Sequence, residues 1–368
     1  MIFFIILGMV AGMLCIGLYP FNYSPPNEAS ILKDGTGIRF YGRGEAVSVG
    51  DTAWPLAGYS GQPFTLELHL RPLKTYHQGV PHILSLCDGS GREIFYLGQW
   101  KNHLVMRLLG DNRWITRVEK ERGTPDFLNV GQLVFLSFVF NAGRVELYAN
   151  GTLAEVYDGF DLNGTIVHRP VRSIILGNSS LGTRPWQGEI HGFSVYDKAL
   201  DPIAIQDNYH RRGSDGKGSV TGEIISYQFD RPSGETFDNL AGSNWDLVIP
   251  DTLTPIRREF LSLPLPDNFT KRWFYIDALL NLAGFIPLGF FLAVLLRDRE
   301  YPGPFCIIAL TLTTGFLLSL FIEANQTFLI TRTSSITDLG LNSLGTMIGA
   351  LAFLALSRGT SSRFSGKQ

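Results

Sequence analysis

The chain reads as two fold classes in one. An all-β sandwich is expected to sit between the first and second helices of an all-α, four-helix membrane bundle. Three observations predict this. The apolar runs Ala278–Leu296, Phe305–Ile322 and Leu339–Leu356 each have about the 18 residues that carry a helix across a hydrocarbon core. The chain also opens on an uninterrupted apolar stretch, Met1–Leu18. Between these, from Asn22 to about Pro266, short alternating apolar and polar segments are broken by Gly, Asn and Asp, the pattern of half-buried strands.

Met1–Leu18 has no basic leading region and ends in Tyr19-Pro20-Phe21 rather than in small residues suited to cleavage, so it is read as a retained helix. Leu14 before Cys15 also argues against lipoprotein processing. The clearest strands are Ile38–Phe40, Phe64–Leu70, Ile83–Leu86, Leu104–Leu108, Leu133–Phe140 and Val145–Tyr148. Asn141-Ala-Gly143 and Asn150-Gly151 supply turns, because Gly and sometimes Asn accept positive φ. The single helical period in this region is at Pro202–Arg211. Gly222–Pro250 adds strands that complete the sandwich or form an annex, and Leu261–Asp267 is a proline-rich tether. The resulting division is a first span over 1–21, a sandwich over 35–211, an annex and tether over 212–266, three spans over 271–358 and a basic tail over 359–368.

Polar groups at the ends of the spans are the functional candidates, since polar burial near lipid costs free energy unless the groups pair or line a wet cavity. They are Asp277, Asn281, Glu323, Gln326, Arg332, Ser335, Asp338 and Asn342. Two segments share the pattern D-x-x-x-N-x-x-G: Asp277 to Gly284 and Asp338 to Gly345. Offsets of four and seven place Asp, Asn and Gly on one helical face. The small residue would allow close helix approach. Both copies open a span and are separated by one other span, so they should run in the same direction. Chain geometry would let Arg332 fold back between Glu323 and Asp338.

The ordered set Asp277, Asn281, Phe285-x-Pro287-Leu288-Gly289, Glu323-x-x-Gln326, Arg332-x-x-Ser335-x-x-Asp338 and Asn342-x-x-Gly345-x-x-x-Gly349 resembles the VanZ family of small membrane proteins. The resemblance covers about the last hundred residues. It also extends to the first twenty-five, because the family's first helix ends in a similar Pro-Phe turn. It implies a four-helix arrangement and an association with resistance to teicoplanin, a glycopeptide antibiotic. The β region resembles the laminin G-like, concanavalin A-type jelly roll. The resembling pieces are Phe64-Thr-Leu-Glu, Val145–Gly151, Ile175-Leu-Gly-Asn178 and Trp186–Leu200. That resemblance implies the fold and a range of roles from sugar binder to spacer.

A net charge of −2 excludes a nucleic-acid binder by charge, and three cysteines make no disulfide framework. Cys87 is expected to be a small buried thiol. All seven histidines lie between His69 and His210, which leaves the membrane part without a zinc-type or Ser-His site. No metal site or cofactor is assigned. Oxygen ligands for magnesium (Asp277, Glu323, Asp338) and for calcium in the β domain (Asp88, Asp111) are the available alternatives. Trp54, Tyr96, Trp100, Trp114 and Trp186 offer stacking faces for sugars, and Trp100 and Trp114 are preferred as an exposed pair.

Arg297 and Arg299 after the second span, with Arg358, Arg363 and Lys367 in the tail, orient both termini to the cytoplasm. The β domain and the polar cluster would then face outward across the plasma (inner) membrane. Lys271-Arg272-Trp273-Phe274-Tyr275 fits the interfacial belt. The expected partners are membrane lipids and glycan or lipid-linked glycan, with no nucleic acid. The expected role is a cell-envelope binding factor. The alternative is a membrane enzyme acting on a lipid-linked phosphate or glycan through Glu323, Asp338 and Arg332.

Overall fold

The computed structural model describes residues 1–50, 62–110, 118–213, 223–229, 236–264, 266–297 and 303–364. It resolves into two compact units, Ser24–Arg257 and the pair Met1–Tyr23 with Arg258–Gln368.

The first unit is a β-sandwich of two antiparallel sheets. One is built from β1 (Ala29–Ile31), β2 (Ile38–Phe40), β4 (Phe64–Pro72), β9 (Val134–Asn141), β10 (Arg144–Ala149), β11 (Thr152–Asp158), β13 (Gly188–Tyr196) and β14 (Glu223–Gln228). Its order is β1-β2-β13-β4-β9-β10-β11, and β14 also pairs with β13. The other contains β3 (Ala46–Val49), β5 (His82–Asp88), β6 (Glu93–Trp100), β7 (His103–Leu109), β8 (Val118–Thr124), β12 (Val171–Leu176), β15 (Thr236–Phe237) and β16 (Leu247–Val248). Its order is β15-β16-β3-β12-β5-β6-β7-β8. Sequential neighbours β5 to β8 form a meander, whereas β4, β9 and β13 meet only through long crossovers. The segment read as an annex divides between the sheets: β14 lies on β13, and β16 reaches β3.

Alternation fills the space between the sheets. Leu66, Leu68 and Leu70 of β4, Leu136, Phe138 and Phe140 of β9, and Leu104, Met106 and Leu108 of β7 all join one core. Phe64 and Phe140 are cross-strand partners with stacked rings 4.6 Å apart. Trp186 is fully buried there, its indole N–H donating to Gln99 Oε1 at 2.7 Å. β4 and β9 are buried on both faces because a second layer covers the outer one. Helix α3 (Pro202–Gly213) contributes Ile205 to a cluster with Val139, Tyr148, Tyr196 and Leu200. A helix without a signal in the hydrophobic period, α2 (Leu162–His168), begins where the Asp161 carboxylate accepts from Gly164 N–H. An N-cap of this kind defines such a short helix.

In the second unit, α1 (Ile2–Leu18) accompanies three helices long and apolar enough to cross a membrane: α4 (Arg272–Arg297), α5 (Pro304–Gln326) and α6 (Ile336–Phe364). Leu18, Phe285, Leu288, Ile322 and Leu329 form one cluster, joined by Ile6, Met9, Val10, Met13 and Leu14 of α1. At the opposite end of the spans, Ala293, Ile307, Ala350 and Leu354 form another.

The approach of α4 to α6 depends on missing side chains. A Cβ on Gly345 would stand 2.2 Å from Leu282 O, one on Gly349 2.0 Å from Ile286 O, and one on Gly289 2.0 Å from Thr346 O. The pairs 282/345 and 286/349 advance together, so α4 and α6 run in the same direction, as the repeat predicts. Gly284, expected to serve this approach, faces open space instead. The face of α4 toward α6 is the 282-286-289 stripe, and Gly284 lies off it.

Candidate functional site

Glu323 closes the last turn of α5 and Asp338 opens the first turn of α6, so the connection between them folds both carboxylates to one end of the helical unit. Glu323 is 1% exposed, and its Oε2 accepts from the backbone N–H of Ser335 at 2.7 Å. Asn281 and Ser335 lie beside Asp338, and Ser335 Oγ accepts from the backbone N–H groups of Thr337 at 3.2 Å and Asp338 at 3.4 Å. Asp277 lies near enough to act electrostatically on both acids. The site therefore joins Asp277, Asn281, Glu323, Ser335 and Asp338. Ser334, which no sequence motif singles out, also lies beside Glu323. Its position is pinned because Leu261 N–H donates to Ser334 Oγ and Ser262 Oγ donates to Ser334 O.

Asn342 lies one turn deeper, 4% exposed, with Nδ2 donating to Ser319 Oγ at 2.9 Å and Oδ1 without a partner among the described residues. Ser319, buried with Thr311 and Thr346, is absent from the residues expected at the site. The signal for it is in the sequence: Thr311, Gly315, Ser319 and Glu323 recur every four residues and so line one face of α5. Thr346 Oγ1 folds back onto Asn342 O at 2.8 Å, and Gly315 gives it room.

Arg332 and Gln326 belong elsewhere. Arg332 does not lie between the two carboxylates; it donates to Tyr19 O at 3.0 Å and Ile16 O at 3.1 Å, while Gln326 Nε2 donates to Gly17 O at 2.9 Å. The last carbonyls of a helix have no partner within it and carry negative partial charge, so the end of α1 attracts these donors. Among the described residues no ion pair joins Arg332 to Glu323 or Asp338, and no three His, Cys, Asp or Glu side chains form a metal-holding group. The magnesium alternative therefore lacks its geometry here.

On the sandwich, Trp100 is 41% exposed at the β6–β7 turn. Its ring stacks on His103 at 5.3 Å, and Lys101 Nζ lies 4.6 Å from its centre. Beside it, Asn102 Nδ2 donates to Asp126 Oδ1 at 2.6 Å. Trp114, Trp54 and Asp111 lie outside the described residues. Tyr96 is buried, stacked on His82 at 3.7 Å and receiving Arg107 Nη1 on its hydroxyl at 2.6 Å. Ser85, Tyr96, Arg107 and Glu121 are successive cross-strand partners over β5 to β8.

Asp88, a calcium candidate, is held instead by Arg169 (Nη2 at 3.0 Å) and by Ser90 N–H at 2.9 Å. Burial opposes its ionisation, but the hydrogen bonds from Ser90 and Arg169 outweigh burial and keep its carboxyl below the usual range. Cys87 is a buried free thiol, pushed up by burial. Asn163 and Asn178, each at the head of an Asn-x-Ser/Thr triplet, are buried, and Asn163 Nδ2 donates to Gln62 O.

Comparison with known proteins yields likenesses to each unit. A putative carbohydrate binding protein from Bacteroides ovatus ATCC 8483 aligns over 62% of this chain and 59% of its own, at 14% identity and a TM-score of 0.41. The Ruminococcus gnavus IT-sialidase CBM40 bound to alpha2,3 sialyllactose aligns over 47% of this chain and 96% of its own, at 17% identity and a TM-score of 0.35. The receptor binding domain of botulinum neurotoxin C/D mosaic serotype aligns over 56% and 48%, at 15% identity and a TM-score of 0.40. The chain spans 38% to 59% of the length of the first three solved structures it matches. No curated protein matches it. Residues 34–206 match the family model of the concanavalin A-like lectin/glucanases superfamily, and residues 228–357 match that of VanZ/LLP1, so the chain joins a concanavalin A-like domain to a VanZ-like one.

Proposed function

We propose that this is a cell-envelope membrane protein of four spans, with the sandwich inserted between the first and second, that binds glycan or lipid-linked glycan at the outer membrane–water interface. Both termini would be cytoplasmic. The observation that carries the glycan reading is Trp100, an exposed indole face at a β-turn beside Asn102 and Asp126 on a lectin-like fold. An indole face stacks on the apolar side of a sugar ring while neighbouring amides and carboxylates meet its hydroxyls. Support for the fourth span is the packing of α1 along α4 and α5 and the two side chains that cap its end. The enzymatic alternative uses Arg332 to neutralise a carboxylate or to hold a phosphate, and the engagement of Arg332 with α1 speaks against that part of it.

A glycan array probed with the full-length protein in detergent tests the reading. Binding that falls at least several-fold in Trp100→Ala, with the fold intact by circular dichroism, is the expected result. Absence of binding across the array would reduce the sandwich to a spacer. Teicoplanin susceptibility of cells with and without the protein tests the role implied by the VanZ likeness.

A further inference from the structure

We infer that the saccharide read at Trp100 is anionic, an inference that rests on the glycan reading above. The indole does not stand alone. Lys101 Nζ lies 4.6 Å from its centre, and the backbone N–H of Lys101 donates to Tyr76 O at 2.7 Å, which brings the segment after β4 alongside the β6–β7 turn. That segment carries a second pair of the same kind, with Lys74 Nζ 5.5 Å from the centre of the Tyr76 ring. The Tyr76 hydroxyl accepts the backbone N–H of Gln187 at 2.6 Å, so the stretch leading into Gln187 joins the same rim. Arg184 of that stretch lies against Gly79, where a Cβ would stand 3.1 Å from Arg184 Nη1.

Charge on this rim is one-sided. Residues 73–81, 98–104 and 181–187 contain no Asp or Glu. Asp126, the acid beside the turn, accepts from Asn102 Nδ2. Lys74, Lys101 and Arg184 are exposed, and among the described residues none of them pairs with a carboxylate. The chain as a whole carries a net charge of −2, so the excess of cations is a local feature.

The two parts of the rim select two parts of a ligand. Aromatic faces take the apolar side of a sugar ring. Ammonium and guanidinium groups take anionic oxygen through charge-assisted hydrogen bonds, which are stronger than those made with neutral hydroxyls. A cation held over a ring is already placed, so less side-chain freedom is lost when the anion arrives. The ligand that uses both parts is a saccharide bearing a carboxylate, sulfate or phosphate. A polyanion without sugar would leave the ring faces unused.

A glycan array of matched pairs tests this, with uronate, sulfated and phosphorylated saccharides beside their neutral parents and the full-length protein in detergent as the probe. The expected result is a preference for the acidic member, which Lys74→Gln and Lys101→Gln each reduce by about two- to fivefold, the range of a solvent-exposed ion pair, and which rising salt weakens. Both substitutions fall on exposed side chains and should leave the fold intact, which circular dichroism checks. The pair with the largest preference assigns the anion as carboxylate, sulfate or phosphate. Neutral parents bound as well as their acidic partners would overturn the inference and leave the glycan reading standing. A preference that survives the double variant would overturn it too, as would polyglutamate competing as well as the acidic saccharides, which would make the rim a general polyanion surface. Binding to no member of any pair would overturn the glycan reading and this inference with it.

Discussion

The Arg332 guanidinium donates to the backbone carbonyls of Tyr19 at 3.0 Å and Ile16 at 3.1 Å, more than three hundred residues earlier in the chain. Gln326 takes the carbonyl between them in the last turn, Gly17, while Cys15 and Leu18 are met by the backbone N–H groups of Tyr19 and Phe21. Arg332→Ala should lower stability in detergent by about 1–2 kcal/mol, the scale of hydrogen bonds to a charged group at a partly open site. Adding Glu323→Gln should not restore it, since the two side chains form no pair. Thermal unfolding of the single and double variants checks this, and restoration would show that the two groups do interact.

Gly349 admits no side chain without moving α4 from α6, because a Cβ there would meet Ile286 O at 2.0 Å. Gly349→Ala should cost about 1–3 kcal/mol, the usual range for overpacking a close contact. Gly284→Ala, facing open space, should cost nothing or slightly stabilise its helix through the better propensity of Ala. Paired melting curves in the same detergent decide the matter.

Glu45 is 1% exposed and receives Thr254 N–H on Oε1 at 2.9 Å. Burial raises its carboxyl to about 7, only partly countered by that bond. The folded sandwich then holds a proton that the unfolded chain releases near pH 4.5. Stability should fall as pH rises from about 4.5 to about 7 and level off above. Glu45→Gln should flatten this dependence and gain about 2–3 kcal/mol at about pH 8. Urea unfolding of residues 24–257 across pH would reveal it; an unchanged profile in the variant would contradict the assignment.

Asp88 and Arg169 form a buried pair, each under a tenth exposed. Removing one partner leaves a buried charge, so Asp88→Ala should cost about 3–5 kcal/mol. If calcium rather than Arg169 were the partner of Asp88, a chelator would produce a comparable loss in the wild type, and none is expected.

Orientation is open to a labelling experiment. In a Cys15→Ala, Cys306→Ala background, Lys120→Cys on exposed β8 should react with a membrane-impermeant thiol reagent on intact cells, and Ser361→Cys in the basic tail should not. Cys87 is buried and should stay silent. The reverse pattern would invert the topology.

Local pattern carries a great deal of this protein. Period-two alternation in segments such as Leu104–Leu108 and Val145–Tyr148, and the long apolar runs of α4, α5 and α6, determine their elements because each has one dominant way to remove apolar surface from water. The D-x-x-x-N-x-x-G repeat likewise announces two parallel helices and brings Asn281 to Asp338. What only the tertiary structure decided are the pairings between distant parts of the chain. Arg332 reads as a partner for carboxylates close in sequence, but unpaired helix carbonyls attract a guanidinium as well, and their proximity depends on where α1 packs. Gly284 shares its repeat with Gly345, yet helix rotation gave the close approach to Gly289. The polar face Thr311–Gly315–Ser319–Glu323 is written in the sequence at a spacing of four. Its burial, and with it the unpartnered oxygen of Asn342, exists only once α6 lies against α5.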